Sequence, residues 1–367
     1  MSERALRRGI TTGTCAAAAA KAAVLAALGR PAAAVEVISP QGQTIIVAIA
    51  ASQCFAGGGS AAVVKDAGDD PDITNGLTVS ASVELTAGGG IVILGGEGIG
   101  TATKPGLAVP VGQPAINPGP RRMITEAVSS VLPAGVGAVV TIAIPGGRKI
   151  AARTLNPVLG IEGGLSVIGT TGIVEPMSEE AWKTSLTPQI SVVRALGHET
   201  IVFVPGKIGQ NIAVNRCQLP ADLVVQTSNF IGYMLESAVS QGIKKVLLLG
   251  HPGKIVKVAA GIFHTHSRMA DARMETLAAY AAAAGAPAAA VEEILDCTTT
   301  EAAMTVIDRH GLAAVWQRLA HRASLRAERF VHGDLAVGTV IVTLAGGILG
   351  LDDTAKEIGG NLGWTIK

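Results

Sequence analysis

Residues Lys245–Glu275, KVLLLGHPGKIVKVAAGIFHTHSRMADARME, restrict the fold more than any other stretch. The apolar run Val246–Leu249 reads as a buried strand. Gly250-His251-Pro252-Gly253 breaks it, and Lys254 to Ala260 reads as helix. A buried strand that feeds a helix through a glycine turn puts the turn at the strand's carboxyl end, where open α/β sheets bind ligands. His264-Thr265-His266-Ser267 follows, and a second helix is expected near Arg268 with Ser267 as its cap. Three of the chain's 7 histidines lie between His251 and His266.

The same rhythm recurs upstream. Leu165–Ile168, Thr200–Val204 and Leu223–Gln226 read as strands, with helices from Glu179 to Leu196, from Ile208 and from Phe230 to Ser240. Each strand runs into a turn of small polar residues: Gly169-Thr170-Thr171-Gly172, Pro205-Gly206-Lys207 and Thr227-Ser228-Asn229. Strand–helix alternation predicts a mostly parallel sheet covered by helices, a Rossmann-like α/β domain over 151–330. From Arg268 to Phe330 the pattern is helical. Gly338–Leu344 is a last strand, and the tail 331–367 is expected to pack on either domain.

Residues 1–150 predict an α+β domain with a mixed sheet. An alanine-rich helix runs from Cys15 to about Leu28, with Thr14 as candidate cap. Short β-rich runs follow at 35–38, 44–49, 61–65, 77–85 and 90–94, and a strand spans 136–144. A helix enters at Asn117-Pro118. With 367 residues, two domains are the default expectation.

Several chemistries are excluded or weakened. A net charge of +1 argues against broad binding to nucleic acid or membranes. Cys15, Cys54, Cys217 and Cys297 lie far apart without CxxC spacing, which suggests reduced thiols in the cytoplasm and no structural zinc. No signal peptide is visible. Leu335–Leu351 is apolar, but its glycines and threonines read as strands with a turn. Gly250–Lys254 lacks the GxxxxGK[ST] spacing of a phosphate loop, and no GxGxxG dinucleotide fingerprint follows the domain's first strand. The aspartates of Asp66–Asp72 do not match a calcium loop, and Asx-turn chemistry accounts for them as well as an ion would. A Gly/Thr turn before the alanine helix, Gly9–Thr14, could be an anion site or a plain helix cap. His264 and His266 can act in acid–base chemistry or substrate hydrogen bonding, or can bond backbone carbonyls.

The quoted stretches resemble one family, the cobalt-precorrin-5B C(1)-methyltransferases of anaerobic cobalamin biosynthesis. The likeness rests on RRGITTGTCAAAAAKAA, VVKDAGDDPDITNG, GGEGIGTATKPGLAVPVGQPAINPGPRRMI, NPVLGIEGGLSVIGTTGIVEPMSEEA, SNFIGYML and GHPGKIVKVAAGIFHTHSRMADARME, spanning Arg7 to Glu275. It implies transfer of a methyl group from S-adenosylmethionine to ring carbon 1 of a cobalt-bearing tetrapyrrole, giving cobalt-precorrin-6A. The cobalt arrives with the corrinoid substrate, so no protein metal site is expected. The alternative is a non-catalytic carrier of a corrinoid intermediate.

On this reading His251, His264, His266 and Asp271 are the catalytic candidates. Gly169, Thr170, Thr171, Gly172, Thr227, Ser228, Asn229 and Gly250 would hold the methyl donor. The macrocycle's carboxylate arms call for Arg or Lys, with Arg8, Lys65, Lys104, Arg121 and Lys254 as candidates. Thr11, Thr12, Thr14 and Asp66 complete the substrate set. His251 is expected nearer the donor, and His264 and His266 nearer the macrocycle. The resemblance leaves room for a homo-oligomer.

Overall fold

A run of four core residues, Val246–Leu249, each fully buried, makes Lys245–Gly250 the central strand of a five-stranded sheet. In the computed structural model the sheet order is Val224–Gln226, Thr200–Val204, Lys245–Gly250, Ala336–Val342, Ile348–Leu351. The first four strands are parallel and the last is antiparallel. Strands buried on both faces need helices on both faces, and near-continuous Val/Ile/Leu runs meet that need. In sequence terms the parallel order is 2-1-3-4, which places a topological switch between Thr200–Val204 and Lys245–Gly250.

The structure describes residues 6–364. The first five residues of the expected segment 1–150 and the last three of the tail 331–367 lie outside the described residues. The chain divides into two compact units, Met1–Ala181 and Trp182–Lys367. The division falls beyond the expected boundary near 150 because Leu165–Ile168 is not the first strand of the α/β unit. Its backbone is tied into the first unit: Leu165 N–H donates to Gly98 O at 2.8 Å and Val167 N–H to Ala115 O at 2.8 Å. The mixed α/β character of the whole chain is as expected.

The second unit departs from expectation in its details. The helix expected over Glu179–Leu196 is two helices, Glu179–Leu186 and Pro188–Ala195, because Pro188 cannot continue a helix from the preceding turn. The helix expected from Arg268 starts at Arg273, with Ala272 and not Ser267 as cap. Residues Leu335–Leu351 form two antiparallel strands and a turn, and helix Asp353–Asn361 follows. Among the described residues no helix is long and apolar enough to cross a membrane.

The first unit holds a mixed five-stranded sheet in the order Ala51–Phe55, Gly58–Val64, Thr78–Ala87, Val136–Ala143, Ile91–Gly95. Only its last pair is parallel. Helix Thr12–Ala27 lies across it, and Cys15–Ala20 and Ala22–Val24 are fully buried. Alanine has the highest helix propensity and carries one methyl, so the backbones come close. A Cβ on Gly59 would sit 2.5 Å from Ala23 O. Thr11, not Thr14, caps this helix: the Thr11 hydroxyl accepts Thr14 N–H at 3.2 Å.

Candidate functional site

A cleft of about 540 Å³ opens at the carboxyl ends of the second unit's parallel strands, lined by residues from four segments. Two follow strand ends: Asn229, and His251 with Gly253 and Lys254. The third is the loop Thr265–Ser267, and the fourth is Thr299–Glu301, with Arg273 beside them. The turn after Val224–Gln226 reaches the cleft because Thr227 N–H bonds Val204 O at 2.8 Å. Ser228 takes the left-handed conformation at φ 51, unusual for a residue with a side chain, and its hydroxyl accepts the Trp182 indole N–H at 3.2 Å.

His251 is the N-cap of helix Pro252–Ala259. Its Nδ1 accepts Gly253 N–H at 3.2 Å. In the neutral ring the proton therefore sits on Nε2. That atom lies 3.3 Å from Glu301 Oε1, yet it is buried and lacks hydrogen-bond geometry to any partner. Burial pushes the His251 imidazolium below its usual range, and the Glu301 carboxylate pulls weakly the other way. His266 follows the same rule, since its Nδ1 accepts Arg268 N–H at 3.2 Å.

The loop bearing the other histidines is pinned at one residue. Thr265 N–H donates to Asn229 O at 2.8 Å. Thr265 O accepts from Lys254 Nζ at 3.2 Å and from Lys257 Nζ at 3.4 Å. Lys254 Nζ also donates to Asn229 Oδ1 at 2.5 Å, and Lys257 Nζ to Ala270 O at 2.8 Å. His264 stacks on Phe230 with ring centroids 5.1 Å apart, and lies 6.4 Å from the His266 ring. Burial, reinforced by the neighbouring Lys257 and Arg273 charges, lowers the Lys254 ammonium. Asp271 is held at about 2 by its paired bonds from Arg273, 2.8 and 2.6 Å.

The expected residues thus split between the units. The second unit gathers His251, His264, His266, Asp271, Thr227, Ser228, Asn229, Gly250 and Lys254. Gly250 is the last residue of the central strand, where a Cβ would meet Ile255 Cδ1 at 3.0 Å. The cleft residues Glu301, Thr300, Arg273 and Thr265 escaped sequence reasoning. Thr299 and Glu301 carried only a helix-start signal, and nothing local shows that this start folds over His251.

The remaining candidates lie in the first unit and are largely committed to protein partners. Thr14 Oγ1 donates to Gly172 O at 2.6 Å, and Thr12 Oγ1 to Ile168 O at 3.1 Å. A Cβ on Gly169 would sit 2.3 Å from Thr11 Oγ1. The turn Gly169–Gly172 is therefore a clasp on the alanine helix, not a strand-end turn of the α/β sheet. Thr171 Oγ1 donates to Ile173 O, and Thr170 lies in the same turn. Lys65 is buried and bonded to Asp72 at 2.6 Å, so it presents no free ammonium to a substrate. Arg121 Nε donates to Ile116 O at 3.0 Å, and the Lys104 stem packs over Gly160. Arg8 pairs with Glu175 at 2.9 Å, and Arg8 and Asp66 border a groove of about 530 Å³.

The aspartate loop is explained by protein contacts. Asp66 pairs with Arg7, Asp69 accepts Arg7 N–H, Asp70 accepts Met177 N–H, and Asp72 accepts from Lys65 and Thr74. Among the described residues no cluster of three or more His, Cys, Asp or Glu could hold a metal ion.

The model of the family CbiD matches residues 1–176, and that of the CbiD C-terminal domain matches 264–353. The chain is 53% identical over 361 residues to a Moorella thermoacetica protein named cobalt-precorrin-5B C(1)-methyltransferase, covering 98% of each. A Desulfitobacterium hafniense protein of the same name is 47% identical, covering 96% of this chain and 92% of its own. A solved structure, the cobalamin biosynthesis protein cbiD from Archaeoglobus fulgidus, is 29% identical with a TM-score of 0.40, covering 72% of this chain and 83% of its own.

Proposed function

The chain belongs to the CbiD family, and from that premise we propose that it transfers a methyl group from S-adenosylmethionine to carbon 1 of cobalt-precorrin-5B, giving cobalt-precorrin-6A in cobalamin biosynthesis. The observation that carries the activity is identity of 53% across 98% of both chains. A cytoplasmic setting belongs to the same proposal, supported by four free cysteines.

The cleft suits the chemistry. Its strand-end residues Asn229, His251 and Gly253 offer backbone and polar groups to the donor. The buried Nε2 of His251 and the buried Oγ1 of Thr265 have no hydrogen-bond partner, as expected of a cavity shaped for a polar ligand. When bound, the donor supplies an electrophilic methyl on a sulfonium sulfur. The protein's share is positioning, which governs in-line transfer to carbon.

Lys254, Lys257 and Arg273 make the cleft attractive to carboxylates. His251 and His266 both present N–H at Nε2, because a backbone N–H occupies each Nδ1 lone pair. They act as hydrogen-bond donors to bound ligand rather than as bases through Nε2. Asp271, ionised and locked to Arg273, orients that guanidinium.

Incubating the protein with cobalt-precorrin-5B and S-adenosylmethionine labelled in its methyl group tests the proposal. Label in the corrinoid is expected. Tight corrinoid binding with no label transferred would replace the enzyme by a carrier.

A further inference from the structure

We infer that the Thr265 side chain is a carboxylate-binding group of the cleft, the hydroxyl that reads an acid end of the bound ligand. This rests on the reading that the cleft is the ligand site.

Thr265 lies between two of the histidines and draws less attention than either. It is 1% exposed. Its N–H is used by Asn229 O and its C=O by two lysines. The backbone is thus fixed from both sides. A β-branched side chain on a fixed backbone has few rotamers with which to find a partner. Its Oγ1 is nonetheless buried with no hydrogen bond, while the residue lines the cleft. A buried hydroxyl left unpaired is unfavourable, and a ligand acceptor arriving in the cleft removes the penalty.

The charges around it select the acceptor. Lys254 spends both of its hydrogen bonds on neutral oxygens, Asn229 Oδ1 and Thr265 O. Lys257, which also holds Thr265 O, is buried, and Arg273 borders the same cleft. A hydroxyl donor set among cations without a matching anion at Lys254 fits a carboxylate. Two ligands of the proposed reaction carry one: the corrinoid, on its side arms, and the methyl donor, on its amino-acid end.

Thr265→Val removes the hydroxyl and keeps the shape. Two titrations separate the sources, one with cobalt-precorrin-5B followed by its absorbance and one with S-adenosylhomocysteine followed by calorimetry. Both measure binding alone, so they remain informative if no methyl transfer occurs. The expected result is binding weakened about tenfold for one of the two ligands, with the ligand-free Tm unchanged or raised. Thr265→Ser, which keeps the hydroxyl, should bind within about threefold of the parent, whereas Thr265→Ala should not. The Ser/Ala pair decides the matter even if the valine variant folds poorly. Equal binding of both ligands by Ser and Ala variants would overturn the inference, as would equal loss in the two.

Discussion

His251 points Nε2 at Glu301 across 3.3 Å, while Gly253 N–H occupies its Nδ1 at 3.2 Å. The first contact draws a proton onto the ring and the second fixes where the neutral ring keeps it.

The His251 ring should titrate below 6.5, the ordinary histidine value. Glu301→Gln removes the charge that pulls it upward, so the titration should move lower still, read by NMR of the imidazole. The sign for stability follows. A histidine depressed in the folded state favours the neutral ring, so its contribution is complete above 6.5 and is lost as pH falls through the folded value. His251→Asn should flatten that part of the Tm–pH curve. A Glu301→Gln ring titrating higher than the parent would contradict the assignment.

Asp271→Asn should leave the shape of the pH–rate profile above pH 5 unchanged, because a carboxyl held at about 2 is already ionised there. The loss in kcat should stay within about tenfold, short of the 10²–10⁴ expected for a general base. His266→Gln, whose amide N–H stands near the Nε2 position, should retain more activity than His266→Ala. Steady-state kinetics of the three variants checks both statements.

In the first unit, Asp72→Asn leaves the buried Lys65 ammonium without its carboxylate. Removing one partner of a buried ion pair costs about 3 kcal/mol or more. Burial alone would raise the Asp72 carboxyl, but bonds from Lys65 and Thr74 outweigh it and hold the group below its ordinary value. Its stabilising share is therefore present above about pH 4 and fades under acid, measurable by urea denaturation at pH 3 and pH 7.

Gly98→Ala should destabilise far more than Gly42→Ala. Both glycines have positive φ, 73 and 79. A Cβ at 98 would sit 1.9 Å from Ile144 O, whereas nothing lies within 4 Å at 42. The second change pays only the left-handed conformation, about 1–2 kcal/mol. Comparable Tm values for the two would show that the loop around Gly98 is free to move away.

What the sequence disclosed follows from the range of the forces involved. The parallel sheet was legible because Val246–Leu249 and Ile201–Val204 are apolar on both faces, a property of consecutive residues. The strand-end position of His251, Asn229 and Lys254 followed from the same alternation. The role of Leu165–Ile168 was illegible: its strand-like composition is satisfied by backbone bonds to Gly98 and Ala115, some 50 residues or more upstream. Lys65 looked like a free cation because only the folded loop shows Asp72 beside it. Glu301 was invisible for the same reason, since it lies 50 positions along the chain from His251. The tautomers of His251 and His266 depend on single backbone donors, which no residue pattern announces.

The alanine helix Thr12–Ala27 sets the thickness of the first unit as a shim sets the gap between two plates. Nine consecutive or near-consecutive side chains, Cys15–Ala20 and Ala22–Val24, have no solvent-facing escape. A bulkier residue at one of the alanines must displace the sheet or another element packed on the helix, and on the sheet side Gly59 already brings strand and helix backbones together. Substitution scanning of Ala16–Ala20, Ala22 and Ala23 should therefore accept little beyond glycine, serine and cysteine. The tolerated volume, position by position, would be a direct read-out of the clearance between helix and sheet.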